Sequence, residues 1–341
     1  MLTKRQNLIE TIRGGNPDRF VKQYEPFAFI WGNPVFAAFP FPQPGGPEVK
    51  TGWGVTIRFK ENTPGPFPVH DEDHKVVKDI TKWKETVRAP NLDYPQEAWD
   101  QFNPTVEAID RNELFATGFV APGVFEQLHY LMGMDDCLIN FYEEPESMKE
   151  LIDYITKYEL DYAKLLCDHF HPDALLHHDD WGSHRSSFLS PQMFEEFIVP
   201  AYKKIYGFYK ANGVEVIVHH SDSYAANLVP HMIEMGIDVF QGCVSTNNVP
   251  DLVKKYGGKI SFMGDIDNGV VDCADWTPEL VAREVRRACE NNGKLYFIPC
   301  LAVGGPGSTF PGVYEAVSAE IDRMSKELYP VRDYEQCMPM D

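Results

Sequence analysis

The chain reads as an α/β protein built on a (β/α)8 TIM barrel, and three observations lead there. From Glu113 onward, apolar strand-like runs alternate with helical segments, as a parallel sheet requires because its crossovers are helices. Four of those runs end in ionisable or metal-competent residues, and the C-terminal end of a strand is where such a barrel delivers its functional groups. The length of 341 residues also suits one barrel, which takes ~250 residues and tolerates insertions to about 400.

Along the chain, residues 1–23 open with a helix. Thr3 and Gln6 stand at capping-box spacing and Gly14-Gly15 ends it. Tyr24–Trp31 is the first strand. Residues 32–112 are rich in Pro, Gly and aromatics (Phe36, Phe39, Phe41, Trp53, Phe59, Phe67, Trp83) without helical period, which predicts an irregular insertion in a single domain spanning 1–341. Strands follow at Leu114–Gly118, Ala174–His177, Val214–His219, Ile237–Gln241, Ile260–Met263 and Leu295–Pro299. Helices lie between them at Pro145–His169, Pro191–Ala211, Tyr224–Met235, Val249–Tyr256 and Pro278–Asn291. Ser190-Pro191 supplies an N-cap and a first-turn proline. Residues 331–341 read as a surface tail.

Composition narrows the function classes. A formal charge of −20 argues against nucleic acid or an anionic membrane as partner, since both need a basic footprint. An apolar share of 43% is enough for a large core. No apolar run reaches the ~18 to 20 residues of a membrane span, and the opening Met1–Gln6 leads into an amphipathic helix rather than a signal-peptide core. Seven scattered cysteines, an odd number, read as reduced thiols of a cytoplasmic protein. Cys300 alone stands at a strand end beside a glycine-rich loop.

The densest functional signal is Val214–Ser223, an apolar strand running into His219-His220-Ser221-Asp222-Ser223. Residues two apart on an extended strand end point the same way, so His220 and Asp222 can address one metal or one polarised substrate; a solvated polar turn is the rival reading. Alternation turns one of His219 and His220 out of the lumen, and His220 is assigned inward. The same grammar recurs in His177–Arg185, where Asp180 is a second acid or substrate anchor, or else a helix cap. His178 and His184 there face the cavity or are surface imidazoles. Asp265 and Asp267 follow Lys259–Met263 and line the mouth or cap a turn. Glu126 orients a ligand or is a buried structural carboxylate. Aromatics from Phe27 to Phe41, Phe29 and Trp31 among them, offer a flat apolar slot or plain packing. The run Gly304–Thr309 is too weak a signal for a phosphate site.

With these residues in view, the chain resembles the uroporphyrinogen decarboxylase superfamily, in its corrinoid-dependent methyltransferase branch of the veratrol/vanillate O-demethylase type. The resemblance rests on Trp53-Gly54-Val55, Phe125-Glu126-Gln127, Asp180-Trp181-Gly182, Leu189–Phe194, His220–Ser223, Met235–Val239, Tyr256-Gly257 and Gly264–Asp267, in that order. It implies a barrel with its site at the strand C-termini. Two departures qualify it. The decarboxylases carry an arginine-bearing motif that grips the tetrapyrrole carboxylates, whereas Phe27–Gly32 holds no arginine. The zinc methyltransferases carry His-x-Cys and a later Cys, and the matching positions here are His220, Asp222 and Cys300, with a harder oxygen ligand in place of a thiolate.

The resemblance therefore implies an enzyme that moves a methyl group from a methoxylated aromatic to cobalt(I). The catalytic residues would be His220, Asp222 and Asp180, with zinc on His220, Asp222 and Cys300, and with His178, His184, Glu126, Phe29, Trp31 and Asp265 against substrate. The cobalamin (corrinoid) would ride on a separate protein, because no Asp-x-His-x-x-Gly motif is present. Alternatives stay open: transfer from methyl-corrinoid to tetrahydrofolate or a thiol, a decarboxylase-like lyase, or a non-catalytic binding relative.

Overall fold

The computed structural model describes residues 1–329 apart from 62, 64 and 306, so the tail expected at 331–341 lies outside the described residues. Strand β1 (Phe27–Ile30) is followed by three short strands, β2 (Val49–Lys50), β3 (Thr56–Arg58) and β4 (Phe67–Pro68), which make a small antiparallel sheet. Then come β5 (Phe115–Val120), β6 (Ala174–His178), β7 (Val216–His220), β8 (Val239–Cys243), β9 (Ser261–Ile266) and β10 (Phe297–Leu301). With β1 these form one parallel sheet in the order β1-β5-β6-β7-β8-β9-β10.

Each strand of this sheet is buried on both faces, and its two-residue period sorts the side chains into two cores. Phe27, Phe115, Leu176, Val218, Val239, Met263, Ile298 and Cys300 fill the inside. Ile217, Phe240, Phe262 and Phe297 face the helices outside. The sheet curls on itself: partly buried Tyr24, just before β1, packs on the inner core, where it feels Cys300 of β10 and also Asp222 just after β7. Burial and those neighbours hold its phenol well above the usual value.

Among the described residues seven strands, rather than the eight expected, are paired in this TIM-barrel-like sheet. Gln23, just before β1, bridges to β10, so it links the two outer strands across the open side. Its backbone N–H donates to Pro299 O at 3.3 Å, and its side-chain oxygen accepts from Leu301 N at 3.3 Å. Its amide nitrogen donates to Ser318 Oγ at 2.8 Å. Gln23 sits at φ 50°, a left-handed conformation outside the extended range of a strand.

Other boundaries follow from local chemistry. The strands from β5 onward run one to three residues further into their polar ends than the apolar pattern predicts; in β6 and β7 the added residues are His178 and His220, which stay in the ladder. The helix expected at Pro191–Ala211 is two, Pro191–Phe197 and Val199–Ala211, since Pro200 lacks the N–H a continuous helix needs there. Similarly, Tyr224–Met235 resolves into a 3₁₀ turn at Ala226–Leu228 and a helix at Val229–Met235, with Pro230 at its start. Thr3 and Gln6 form the expected capping box on Lys4–Ile12. Residues 32–112 hold the small sheet and several short helices, and they pack on the barrel. Trp53 meets Tyr154 and Tyr158 of the Pro145–Phe170 helix at 6.2 and 4.9 Å. No helix among the described residues is long and apolar enough to cross a membrane.

If Gln23 stitches the open side, Gln23→Ala leaves the Leu301 amide and the Ser318 hydroxyl without their partner. Urea unfolding should show a loss of about 1–3 kcal/mol; an unchanged midpoint would mean that the seam carries no stability.

Candidate functional site

β6 and β7 pair in register with His177 opposite His219 and His178 opposite His220. Alternation then gives two histidine pairs on opposite faces. The outward pair is fully buried and satisfied: Tyr206 lies between His177 and His219, at 3.2 and 2.7 Å from their Nδ1 atoms, and His177 Nε2 meets Glu159 at 2.8 Å. The inward pair, His178 and His220, stacks with ring centroids 4.3 Å apart at the mouth of the lumen.

Between the two rows sits Asp179, which no residue pattern singles out and which holds the site together. Its carboxylate accepts from Phe125 N at 3.0 Å and Glu126 N at 2.7 Å, so it caps the Val124–Met132 helix from outside that helix. It also accepts from Trp181 Nε1 at 2.8 Å and Tyr202 OH at 2.5 Å. That cap fixes Glu126, whose Oε2 lies 2.7 Å from His178 Nδ1.

The ligand-capable atoms of His178, Asp180 and His220 all lie within 4.8 Å of one another. Each imidazole has its Nδ1 engaged, His178 by Glu126 and His220 by the Gln241 side-chain oxygen. Nε2 of each is thereby left for a ligand, and His220 Nε2 stands 3.9 Å from Asp180 Oδ1. An acceptor behind each histidine is the arrangement that orients metal-bound imidazoles. Two imidazoles and one carboxylate fit a divalent first-row ion such as zinc, with a position left for substrate.

Burial and charge set the protonation states. Burial lowers His220 to about 4, helped by neighbouring His178, so His220 is neutral. Burial also works against a charge on His178, but Glu126, Asp180 and Asp222 outweigh it and push His178 up to about 10. Asp222 is raised to about 7 by burial and by Asp180, whose Oδ1 accepts from Asp222 N at 3.0 Å. Asp222 is therefore a protonatable carboxyl beside the histidines near neutral pH, and buried Asp179, raised to about 7 by burial and by Glu126, is another.

The expected residues divide accordingly. His220, Asp180, His178 and Glu126 come together, and Asp222 adjoins them without entering the convergent ligand set. Cys300 faces the lumen but lies outside that set: it is buried on β10, with Sγ 3.9 Å from Gln23 Oε1, and burial keeps its thiol protonated. Asp265 does not line the mouth. Its φ of 63° breaks the alternation after Met263, and its carboxylate binds Arg287 at 3.1 Å and Asn292 at 2.6 Å. Asp267 caps the short Asn268–Val271 helix. His184 is exposed on the loop after β6, where its carbonyl accepts from Thr246. Phe29, Trp31 and Phe119 form an aromatic wall at the mouth, with Trp31 4.9 Å from Phe119 and 60% exposed. Gln241 was legible only as a polar residue inside a buried strand.

The family model for uroporphyrinogen decarboxylase (URO-D) matches residues 49–323. Among solved structures, a methyltransferase from Methanosarcina mazei superposes with a TM-score of 0.62 at 13% identity, covering 95% of this chain and 99% of that one. At that identity the likeness is one of fold. No curated protein matches the sequence.

If Glu126 orients His178, Glu126→Gln should weaken zinc affinity about 10–100-fold in a competitive chelator titration, with the fold intact by circular dichroism; unchanged affinity would remove Glu126 from that role. Because His178 is protonated below about 10, zinc must displace its proton. Calorimetry in buffers of different ionisation enthalpy should show proton release at pH 7.5, and affinity should rise with pH. Binding without proton release would contradict this.

Proposed function

The chain belongs to the uroporphyrinogen decarboxylase family, and from that premise we propose that it is a corrinoid-dependent methyltransferase, taking methyl from a methoxylated aromatic and passing it to the cobalt(I) corrinoid of a separate protein. The observation that carries this reading is the convergence of His178, Asp180 and His220 beside Asp222, whose carboxyl is protonatable near neutral pH. Decarboxylation of a tetrapyrrole fits poorly. Its carboxylates need cationic partners, yet Phe27–Gly32 has no arginine, and the charged groups acting on Asp222 are Asp180, His178 and Glu126.

In the proposed reaction the methyl–oxygen bond breaks and both of its electrons stay on oxygen, while the methyl passes to cobalt. The leaving group is a phenolate, whose conjugate acid has a pKa near ~10, so modest assistance suffices. Asp222 can give that oxygen its proton. A divalent ion held by His178, Asp180 and His220 would supply Lewis-acid polarisation of the same oxygen. Phe29, Trp31 and Phe119 offer the aromatic ring an apolar face and keep water from one side of it.

The assay is methylation of cob(I)alamin by a panel of methoxylated aromatics. Wild-type protein should methylate it, and His220→Ala should lower kcat by about 100-fold with KM little changed, because leaving-group assistance acts in the transition state. A change in KM alone would make His220 a binding residue, and silence across the panel would remove the donor class. Since Asp222 holds its proton only below about 7, turnover should fall as pH rises through that value. Asp222→Asn should be slower and should lose that alkaline limb; a variant that keeps it would clear Asp222 of the role.

A further inference from the structure

Beyond the convergent cluster, the segment that follows β4 packs on the Val124–Met132 helix and brings two further imidazoles together. His70 and His129 lie with ring centroids 6.4 Å apart at 76°. His129 is buried one turn beyond Glu126 on the same helix, and Asp180 acts on it electrostatically, so it belongs to the same side of the site. His70 is bonded to the Tyr130 backbone, and its Nε2 is buried without a partner among the described residues. His129 Nδ1 is likewise buried and unpartnered. Buried polar atoms are nearly always paired, so two adjacent orphans, contributed by separate elements, point to a ligand group that completes them.

The chemistry of that group follows from the charges around it. Burial lowers both histidines, His129 to about 4, and Lys75 lowers His70 further, so both are neutral. A neutral imidazole offers one donor and one acceptor nitrogen. Lys75, the cation beside His70, is taken up by Glu72 at 2.5 Å and Asp136 at 2.8 Å. A carboxylate would find no free cation at these two rings, could not donate to an imidazole lone pair, and would approach Glu126, one turn back on the helix, and Asp180. A hydroxyl both donates and accepts.

We propose that His70 and His129 form a hydroxyl-recognition subsite, so that the methyl donor is a neutral, hydroxyl-bearing aryl ether rather than a carboxylated one. This rests on the aryl ether reading for the ring itself, and binding separates the two. The probes are 2-methoxyphenol, 1,2-dimethoxybenzene and 4-methoxybenzoate, titrated calorimetrically into the full-length protein at pH 7. The phenol should bind at least about tenfold more tightly than the dimethyl compound, with the benzoate weakest. His70→Phe and His129→Phe should each abolish that preference while leaving dimethoxybenzene affinity unchanged. Equal affinities in the wild type, a preference that survives both substitutions, tight benzoate binding, or no binding of any probe would overturn the subsite. The wild-type comparison stands even if a variant fails to fold. A hydroxyl preference without methyl transfer would keep the subsite and remove the methyltransferase reading; transfer without the preference would do the reverse.

Discussion

Asp179 takes four hydrogen bonds while fully buried, from two helix amides, an indole and a phenol, and the geometry of the site depends on that one carboxylate. It ties the end of β6 to the start of the Val124–Met132 helix, and the helix in turn presents Glu126 to His178. It also fixes Trp181, which stacks on His219 at 3.7 Å, behind β7. Burial and neighbouring Glu126 work against its charge, whereas the four donors and the helix N-terminus work for it. No arginine or lysine is spent on Asp179, so the anchoring adds no cation to the cavity.

The rest of the site inherits its electrostatics from that economy. Carboxylates accumulate around the lumen mouth, and His178 takes up a proton among them while stacked His220 stays neutral. The two rings thus differ in charge although their positions on adjacent strands are equivalent. Burial and the neighbouring His178 keep His220 neutral against the pull of Asp180 and the Gln241 oxygen, whereas at His178 the carboxylates, Glu126 foremost, outweigh burial. Burial, with repulsion from Asp180 behind it, keeps a proton on Asp222 near neutrality.

Much of this was legible in the sequence, and the failures have physical causes. Strand–helix alternation gave the sheet and its order, because two-face burial writes continuous apolar runs such as Val216–Val218. Period alone put His219 and His220 on opposite faces, and the assignment of His220 to the inside agrees with its pairing beside His178. The strand count did not follow from period, and the side-chain bonds by which Gln23 links the outer strands are encoded by no periodicity. Asp265 failed because one left-handed residue reverses the alternation on which its placement relied. Cys300 faces the lumen, but its Sγ lies against Gln23 and outside the convergent ligand set, a placement that spacing along the chain cannot report. Asp179 was hidden for the opposite reason: its partners on the Val124–Met132 helix lie more than fifty residues away in sequence.

The central claim is that His178, Asp180 and His220, set by Glu126 and Gln241, form one metal-binding centre at the barrel mouth. The most direct measurement is a crystal structure of the zinc-loaded protein with anomalous data collected on either side of the zinc edge. The account predicts a single strong peak bonded to both Nε2 atoms and to Asp180, at about 2.0–2.2 Å. A peak on Cys300 or Asp222 instead, or no peak at the three residues under saturating zinc, would contradict it.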